Sequence, residues 1–308
     1  MSFDNIIGNK KIKEYLNKTI DSANILNGYL FVGIDGIGKK LIAKEFAKMI
    51  LCQGENKPCN SCKSCIEFEN DSNPDFMIID KDYDEEKKKE KNLISINQIR
   101  YMNTKIFEKP IISRRKVYII DNSDFMKKEA QNSLLKTLEE PPEYATIILI
   151  ASNESKLLNT IKSRCIKLNF NKLSEEEIEK YFIQNNQQVI NKNIISFSEG
   201  SIGKALKINE NIEEYTKLEK LIEDINSKNL VYILNNAEVL YKNKDIVYDL
   251  LEYTNVLLLN SKKIEKIKCV KYVEEAKNRL NLNSNYDMTI DNLLIKIWEE
   301  INEKYSRS

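Results

Sequence analysis

Apolar positions follow two rhythms along this chain. In the first half, short unbroken apolar runs alternate with stretches whose apolar residues recur at helical spacing, the marks of buried strands and one-faced helices. The runs 29–32, 76–79, 117–120 and 146–150 predict strands, and 166–170 is a further candidate for the last one. Between them, 9–23 and 39–51 read as helices, the second with Leu41, Ile42, Phe46, Ala47 and Ile50 on one face. Ser95 with Gln98 forms a capping box that opens a helix ending near Phe107, ahead of Pro110. A further helix follows Asp121 and stops at Pro141-Pro142. Such alternation predicts an α/β domain with a parallel sheet, helices on both faces and a ligand site at the C-terminal strand ends. The acid-then-base run 81–91 reads as a solvated loop or hairpin tip.

From Ser174 onward only the helical rhythm remains, opened by a second capping box, Ser174 with Glu177. No glycine follows Gly203 and no proline follows Pro142, so the C-terminal region carries neither helix breaker. A break at Gly200-Ser201-Ile202-Gly203 separates a small helical unit from a longer one. The expected organisation is an α/β domain over 1–172, a small helical unit over 173–210 and an all-helical domain over 211–308. Apolar positions such as Val256, Leu257 and Leu258 are expected to face partner chains.

Composition removes several chemistries. The 48 Lys+Arg nearly balance the 47 Asp+Glu, so no charge-driven partner is implied. The absence of histidine excludes histidine triads, histidine metal ligands and histidine general bases. No signal pattern is visible at Met1–Asn5 and no apolar run approaches membrane-spanning length, so a cytoplasmic chain without a membrane partner is expected.

Gly33-Ile34-Asp35-Gly36-Ile37-Gly38-Lys39-Lys40 matches the phosphate-binding loop G-x-x-x-x-G-K, after a strand and before a helix. Gly33, Gly36 and Gly38 let backbone N–H groups face phosphates, and Lys39 reaches the β/γ oxygens. The next position should offer a hydroxyl to Mg²⁺ but holds Lys40, which cannot ligate a cation, and Asp35 adds negative charge to the loop. A working site also needs a strand ending in Asp-Glu; here Ile120 is followed by Asp121 and Asn122, and Asn122 cannot take a proton from water. ATP or ADP binding is left open, while hydrolysis is expected to be absent or very slow.

Cys52, Cys59, Cys62 and Cys65 have the spacing C-x6-C-x2-C-x2-C. Four thiolates suit one structural Zn²⁺, and a C-x2-C turn supplies two of them from one short loop. An iron–sulfur cluster is the rival, although in ferredoxins the fourth cysteine lies downstream before a proline, not upstream as Cys52 does. Cys165 and Cys269 are expected in cores.

The stretch Asp121-Asn122-Ser123-Asp124-Phe125-Met126, the run Ala130-Gln131-Asn132-Ser133-Leu134-Leu135-Lys136-Thr137-Leu138-Glu139-Glu140-Pro141-Pro142 and the segment Thr160-Ile161-Lys162-Ser163-Arg164-Cys165 resemble the clamp-loader branch of the AAA+ family. With its degraded nucleotide motifs, the chain most resembles the delta-prime subunits of bacterial DNA polymerase III. The motifs span about residues 28–206. The resemblance implies an AAA+ domain with a zinc module at about 52–65, a lid at 173–210 and a collar-type oligomerisation domain at 211–308, with partners among the gamma/tau and delta subunits and contact with the sliding clamp and primed DNA through the complex. It also implies that Arg164 of Ser-Arg-Cys is an arginine finger facing a neighbour's ATP, and that Asn153 stands where relatives place a γ-phosphate sensor, a turn residue being the equal alternative. The second-sensor arginine of active relatives is replaced by Gly203, a third departure from an ATPase. Two rival readings remain: an active gamma/tau-like ATPase that compensates for Lys40 and Asn122, and a zinc-dependent nucleic-acid-binding module on a vestigial ATPase fold.

Overall fold

A computed structural model describes residues 3, 5–81, 83, 84, 89, 90, 93–185, 192–261 and 263–302. They form two compact units, one of residues 1–187 with 200–204, the other of 188–199 with 205–308.

In the first unit, helix α1 (Lys10–Asp21) leads to strand β1 (Gly28–Val32), the glycine loop and α2 (Lys39–Leu51). A short α3 (Lys63–Glu69) follows the cysteines and precedes β2 (Phe76–Ile79). Short strands β3 (Tyr83–Asp84) and β4 (Lys89–Glu90) pair antiparallel, as the charged run suggested, and its middle lies outside the described residues. Then come α4 (Ile96–Ile106), β5 (Lys116–Ile120), α5 (Lys128–Glu139), β6 (Ala145–Ala151), α6 (Asn159–Lys162), β7 (Ile166–Asn169) and α7 (Glu175–Gln184). Both predicted capping boxes form, at Ser95 and Ser174.

The main sheet has five strands in the order β2-β5-β6-β1-β7, all parallel. Alternate residues of each strand feed opposite cores. Tyr29, Phe31, Val117, Ile119, Ile148 and Ile150 pack with α1 and α2, whereas Leu30, Tyr118, Ile120, Ile147 and Leu149 pack with α4 and α5. That two-sided burial explains the continuous apolar runs, most fully in β6, where every residue is buried. Leu41 departs from its expected place on the packed face of α2 and is exposed, while Ala43 and Met49 are buried. Chain order reverses at β1, which sits between β6 and β7, so its C-terminal end opens at the crevice where ligands of such sheets bind.

The second unit is helical: α8 (Lys192–Phe197), α9 (Ile202–Glu210, from residue 205), α10 (Ile212–Asp224), α11 (Leu230–Asn235), α12 (Glu238–Lys242), α13 (Val247–Asn260), α14 (Ile264–Lys268), α15 (Val270–Asn281) and α16 (Tyr286–Asn302). Its centre includes an aromatic cluster of Phe197, Tyr215 and Tyr253. Leu258 is fully buried inside this unit and is therefore not free to face a partner, while Val256 and Leu257 are half-buried. Cys269 lies in this core, where burial pushes its thiol up to about 12. Cys165, in the first unit, is half-buried and pushed up to about 12 for the same reason. No helix among the described residues is long and apolar enough to cross a membrane.

Candidate nucleotide-type site and cysteine module

The loop after β1 has the form that holds phosphates. Gly36 (φ +74°) and Gly38 (φ +90°) take left-handed conformations that side chains resist, and α2 begins at Lys39 with no side chain capping its N-terminus. The loop is closely covered at Gly36. Gly203 N–H donates to Gly36 O (2.9 Å), and the Ser201 hydroxyl donates to Asp35 O (2.7 Å). A Cβ on Gly203 would lie 2.8 Å from Gly36 Cα. Gly203 is thus in backbone contact with the loop.

The two lysines are both committed within the chain. Lys39 is buried, and its ammonium donates to Gly33 O, to Ile34 O (2.8 Å) and to the Ser152 hydroxyl (3.1 Å), with Asp35 at 3.8 Å. Burial lowers its pKa, outweighing the attraction of Asp35, Asp121 and Asp124. Lys40 turns the other way. Its ammonium sits 2.9 Å from Asp121 Oδ2 and 3.0 Å from Asp80 Oδ2. Burial opposes its charge, yet the bonds to Asp121 and Asp80 raise its pKa. Asp80 is held below the usual carboxylate range: burial works against ionisation, and the Asn122 amide and Lys40 ammonium outweigh it. Asn122 donates through Nδ2 to Asp80 Oδ1 (2.7 Å).

Asn153 points elsewhere, its Oδ1 accepting from Ser155 N (3.0 Å) and the Ser155 hydroxyl (2.6 Å) as the cap of a 3₁₀ turn. Ser152, which sequence reasoning passed over, is the residue of this segment that reaches Lys39, and it also bonds Asp35. Asp80 was missed too; its one local signal is its place just after an apolar strand.

Arg164 lies at the other end of the sheet. It precedes β7, whose Ile166 pairs with Tyr29 at the start of β1, whereas the loop follows the end of β1. About four residues of strand separate the two levels, roughly 13 Å along the sheet. Its guanidinium pairs with Glu139 (2.6 Å) and donates to Thr160 O (2.8 Å).

The four cysteines of the cluster converge. Their sulfurs all lie within 4.8 Å of one another, close to the roughly 3.8 Å edge expected of a tetrahedron with metal–sulfur bonds of about 2.3 Å. Backbone N–H groups of Gly54 and Cys59 approach Cys52 Sγ at 3.4 and 3.3 Å, and that of Cys62 approaches Cys59 Sγ at 3.3 Å. Donors of this kind favour thiolate, and the Cys59 thiol is lowered to about 5 by the N–H groups of Ser61 and Cys62. Burial instead pushes Cys65 up to about 12, which a bound cation would reverse. The donor set can hold a metal ion. A buried polar seam ties the module to the sheet: Ser64 Oγ meets Ser113 Oγ (2.9 Å), and Asn73 Nδ2 donates to Ser64 O (2.9 Å).

A sequence-family model described as "DNA polymerase III, delta subunit" matches residues 8–174, more than half of the chain and the whole parallel sheet. The chain belongs to this DNA polymerase III family. Relatives carry the same association. The DNA polymerase III subunit gamma of Buchnera aphidicola is 32% identical over 242 residues, covering 76% of this chain and 63% of its own length. The subunit gamma/tau of Mycoplasma genitalium is 30% identical, covering 83% of this chain and 43% of its own. The subunit delta′ of Bacillus subtilis is 30% identical, covering 71% and 65%. The chain therefore spans less than two thirds of each of these DNA polymerase III relatives. The clamp-loader resemblance read from the motifs is borne out at the level of the family.

Proposed function

We propose that the chain is a non-catalytic, delta-prime-type subunit of the DNA polymerase III clamp-loading assembly. It would work with gamma/tau and delta subunits in the cytoplasm to place the sliding clamp on primed DNA. The observation that carries this reading is the Lys40 ammonium, 2.9 Å from Asp121 where a working site needs Mg²⁺. Asn122, bonded to Asp80, adds no base for water. Gly33, Gly36 and Gly38 keep the loop form that takes the phosphates of ATP or ADP, which would draw Lys39 away from Gly33 O and Ile34 O, without the groups that break them down. Arg164 acts in trans, as its distance from the chain's own loop suggests, and a planar permanent cation suits the charge of phosphoryl transfer. Cys52, Cys59, Cys62 and Cys65 hold one structural Zn²⁺, which would supply local folding energy to a rigid contact module. The parallel-sheet domain, the lid and the helical C-terminal domain then divide nucleotide contact from assembly.

The test is hydrolysis, measured for the purified chain and for the reconstituted assembly. The chain alone is expected to show no turnover above background. Arg164→Ala is expected to leave assembly intact and to lower DNA-stimulated turnover. Arginine fingers contribute about 10³–10⁵ at a single site, so the loss for an assembly with several sites is smaller. Steady hydrolysis by the chain alone, or unchanged turnover and clamp loading with Arg164→Ala, would overturn the reading.

A further inference from the structure

Asp80 and Asp121 follow β2 and β5, which are adjacent parallel strands with Ile79 paired to Ile120. Their backbones therefore stand side by side at about the inter-strand spacing of 4.8 Å, and two carboxylates brought to one place repel unless a cation intervenes. Each has one oxygen fixed by N–H donors. Asp80 Oδ1 accepts from Lys81 N (2.8 Å) and Asn122 Nδ2 (2.7 Å), and Asp121 Oδ1 accepts from Asn122 N (2.9 Å). The remaining oxygens, Asp80 Oδ2 and Asp121 Oδ2, converge on one group, the Lys40 ammonium at 3.0 and 2.9 Å. Lys40 stands at the loop position whose hydroxyl would bind Mg²⁺ in an active relative.

We propose that Lys40 is a tethered cation that takes over the place of the divalent metal between Asp80 and Asp121. The inference rests on reading this loop as a converted nucleotide site, and it adds a specific property. The two carboxylates bind no divalent ion while Lys40 is present, and any phosphate group the loop accepts is accepted without a metal bridge. An ammonium on its own backbone is at high effective concentration and cannot be removed by a chelator, whereas a free ion must dehydrate and displace it. Its single charge neutralises the pair only in part and offers no open coordination position, so it can set the carboxylates but cannot polarise a water or a phosphate. The loop shape can thus persist after the metal chemistry is lost.

Manganese is the probe, followed by the electron paramagnetic resonance signal of free Mn²⁺ titrated with full-length, zinc-replete chain and no nucleotide. The wild type is expected to show no site that depends on Asp121. Lys40→Thr, which restores a hydroxyl, is expected to gain one Mn²⁺ per chain, bound about tenfold or more tighter than any wild-type binding. Lys40→Thr with Asp121→Asn should lose it again. Lys40→Gln, which keeps most of the stem without the charge, replaces Lys40→Thr should circular dichroism show that variant unfolded. A wild-type Mn²⁺ site abolished by Asp121→Asn would overturn the proposal, because the lysine would then exclude nothing. So would a folded Lys40 variant that gains no Mn²⁺, or one whose gain survives Asp121→Asn. The two readings fail in different experiments: this one in Mn²⁺ binding by the chain without nucleotide, the role in the clamp-loading assembly in turnover and clamp loading by the reconstituted complex.

Discussion

At single residues, the nucleotide-type loop is held by contacts that span long stretches of chain. Gly203 packs on Gly36 through backbone atoms, so a side chain there must push on the loop itself. Gly203→Arg, which supplies the arginine that the clamp-loader resemblance would place there, is therefore expected to yield no hydrolysis and to cost about 1–3 kcal/mol by overpacking. Thermal unfolding and phosphate release check the two halves of that expectation. The Lys40–Asp80–Asp121 group has its own pH signature. Asp80 is depressed, so its contribution to stability is present above its ordinary 3.8 and is lost as pH falls through the lower folded value. Lys40 is raised, so its contribution is present below its ordinary 10.5 and is lost as pH rises through the higher folded value. The melting difference between wild type and Lys40→Gln should be flat between those two ordinary values and shrink beyond each end. A difference that varies through neutral pH would count against this assignment. The glycine loop and Asp121 were legible in the sequence because they are local motifs. Asp80 and Ser152 were not, because what recruits them is a strand register and a lysine more than a hundred residues from Ser152.

At the level of elements, the cysteine module depends on what lies beneath it. The buried Asp75 carboxylate accepts from the backbone N–H groups of Ile111, Ile112 and Ser113 at 2.7–2.8 Å, and Ser113 in turn meets Ser64 at the start of α3. Asp75→Ala leaves those donors without a partner and is expected to cost about 3 kcal/mol or more. Urea denaturation measures the loss, and limited proteolysis should show faster cutting within 52–65. Elemental analysis is expected to find the proposed one zinc per chain in the wild type and none in Cys62→Ser. Chelation should loosen the same segment while circular dichroism of the sheet domain holds. Iron with visible charge-transfer absorbance would instead favour the iron–sulfur alternative. The cysteine spacing announced four ligands, since close spacing in the chain enforces closeness in space. It could not announce Asp75, which resembles any acidic residue before a strand until the loop at 111–113 folds over it. Strands β1, β5 and β6 were readable for a related reason, since burial on both faces removes polar positions from them, whereas β7 at the sheet edge is largely exposed and keeps Lys167 and Asn169. The exposure of Leu41 shows the limit of that pattern, since one apolar residue on a helix does not report which face is covered.

Across the whole molecule, near-balanced charge gives the proposed assembly no net electrostatic pull and leaves it to apolar surface and to specific pairs. The helical rhythm of the C-terminal region made its class legible, yet not its outward face. Leu258, expected at a partner, is spent on the unit's own core, where it shares α13 with buried Leu250, Leu251 and Tyr253. Periodicity identifies a buried stripe but cannot say whether the chain itself or another chain buries it. The residues left exposed identify better candidates for assembly: Ile264 is 69% exposed, Leu282 80% and Met288 70%. Removing them costs the folded chain little, because side chains that remain in water contribute little burial energy. Ile264→Asp, Leu282→Asp and Met288→Asp are each expected to melt within about 0.5 kcal/mol of the wild type. At least one of them should weaken recruitment into the reconstituted assembly, since a charge at an apolar contact is costly to bury. Sedimentation of each variant with its partner subunits reads recruitment directly, and turnover per assembled complex should stay at the wild-type level. Arg164→Ala should give the converse result, normal recruitment with reduced turnover. If all three aspartate variants assembled as the wild type does, these exposed positions would be ordinary solvent-facing residues, and the contact would have to be sought elsewhere on the chain.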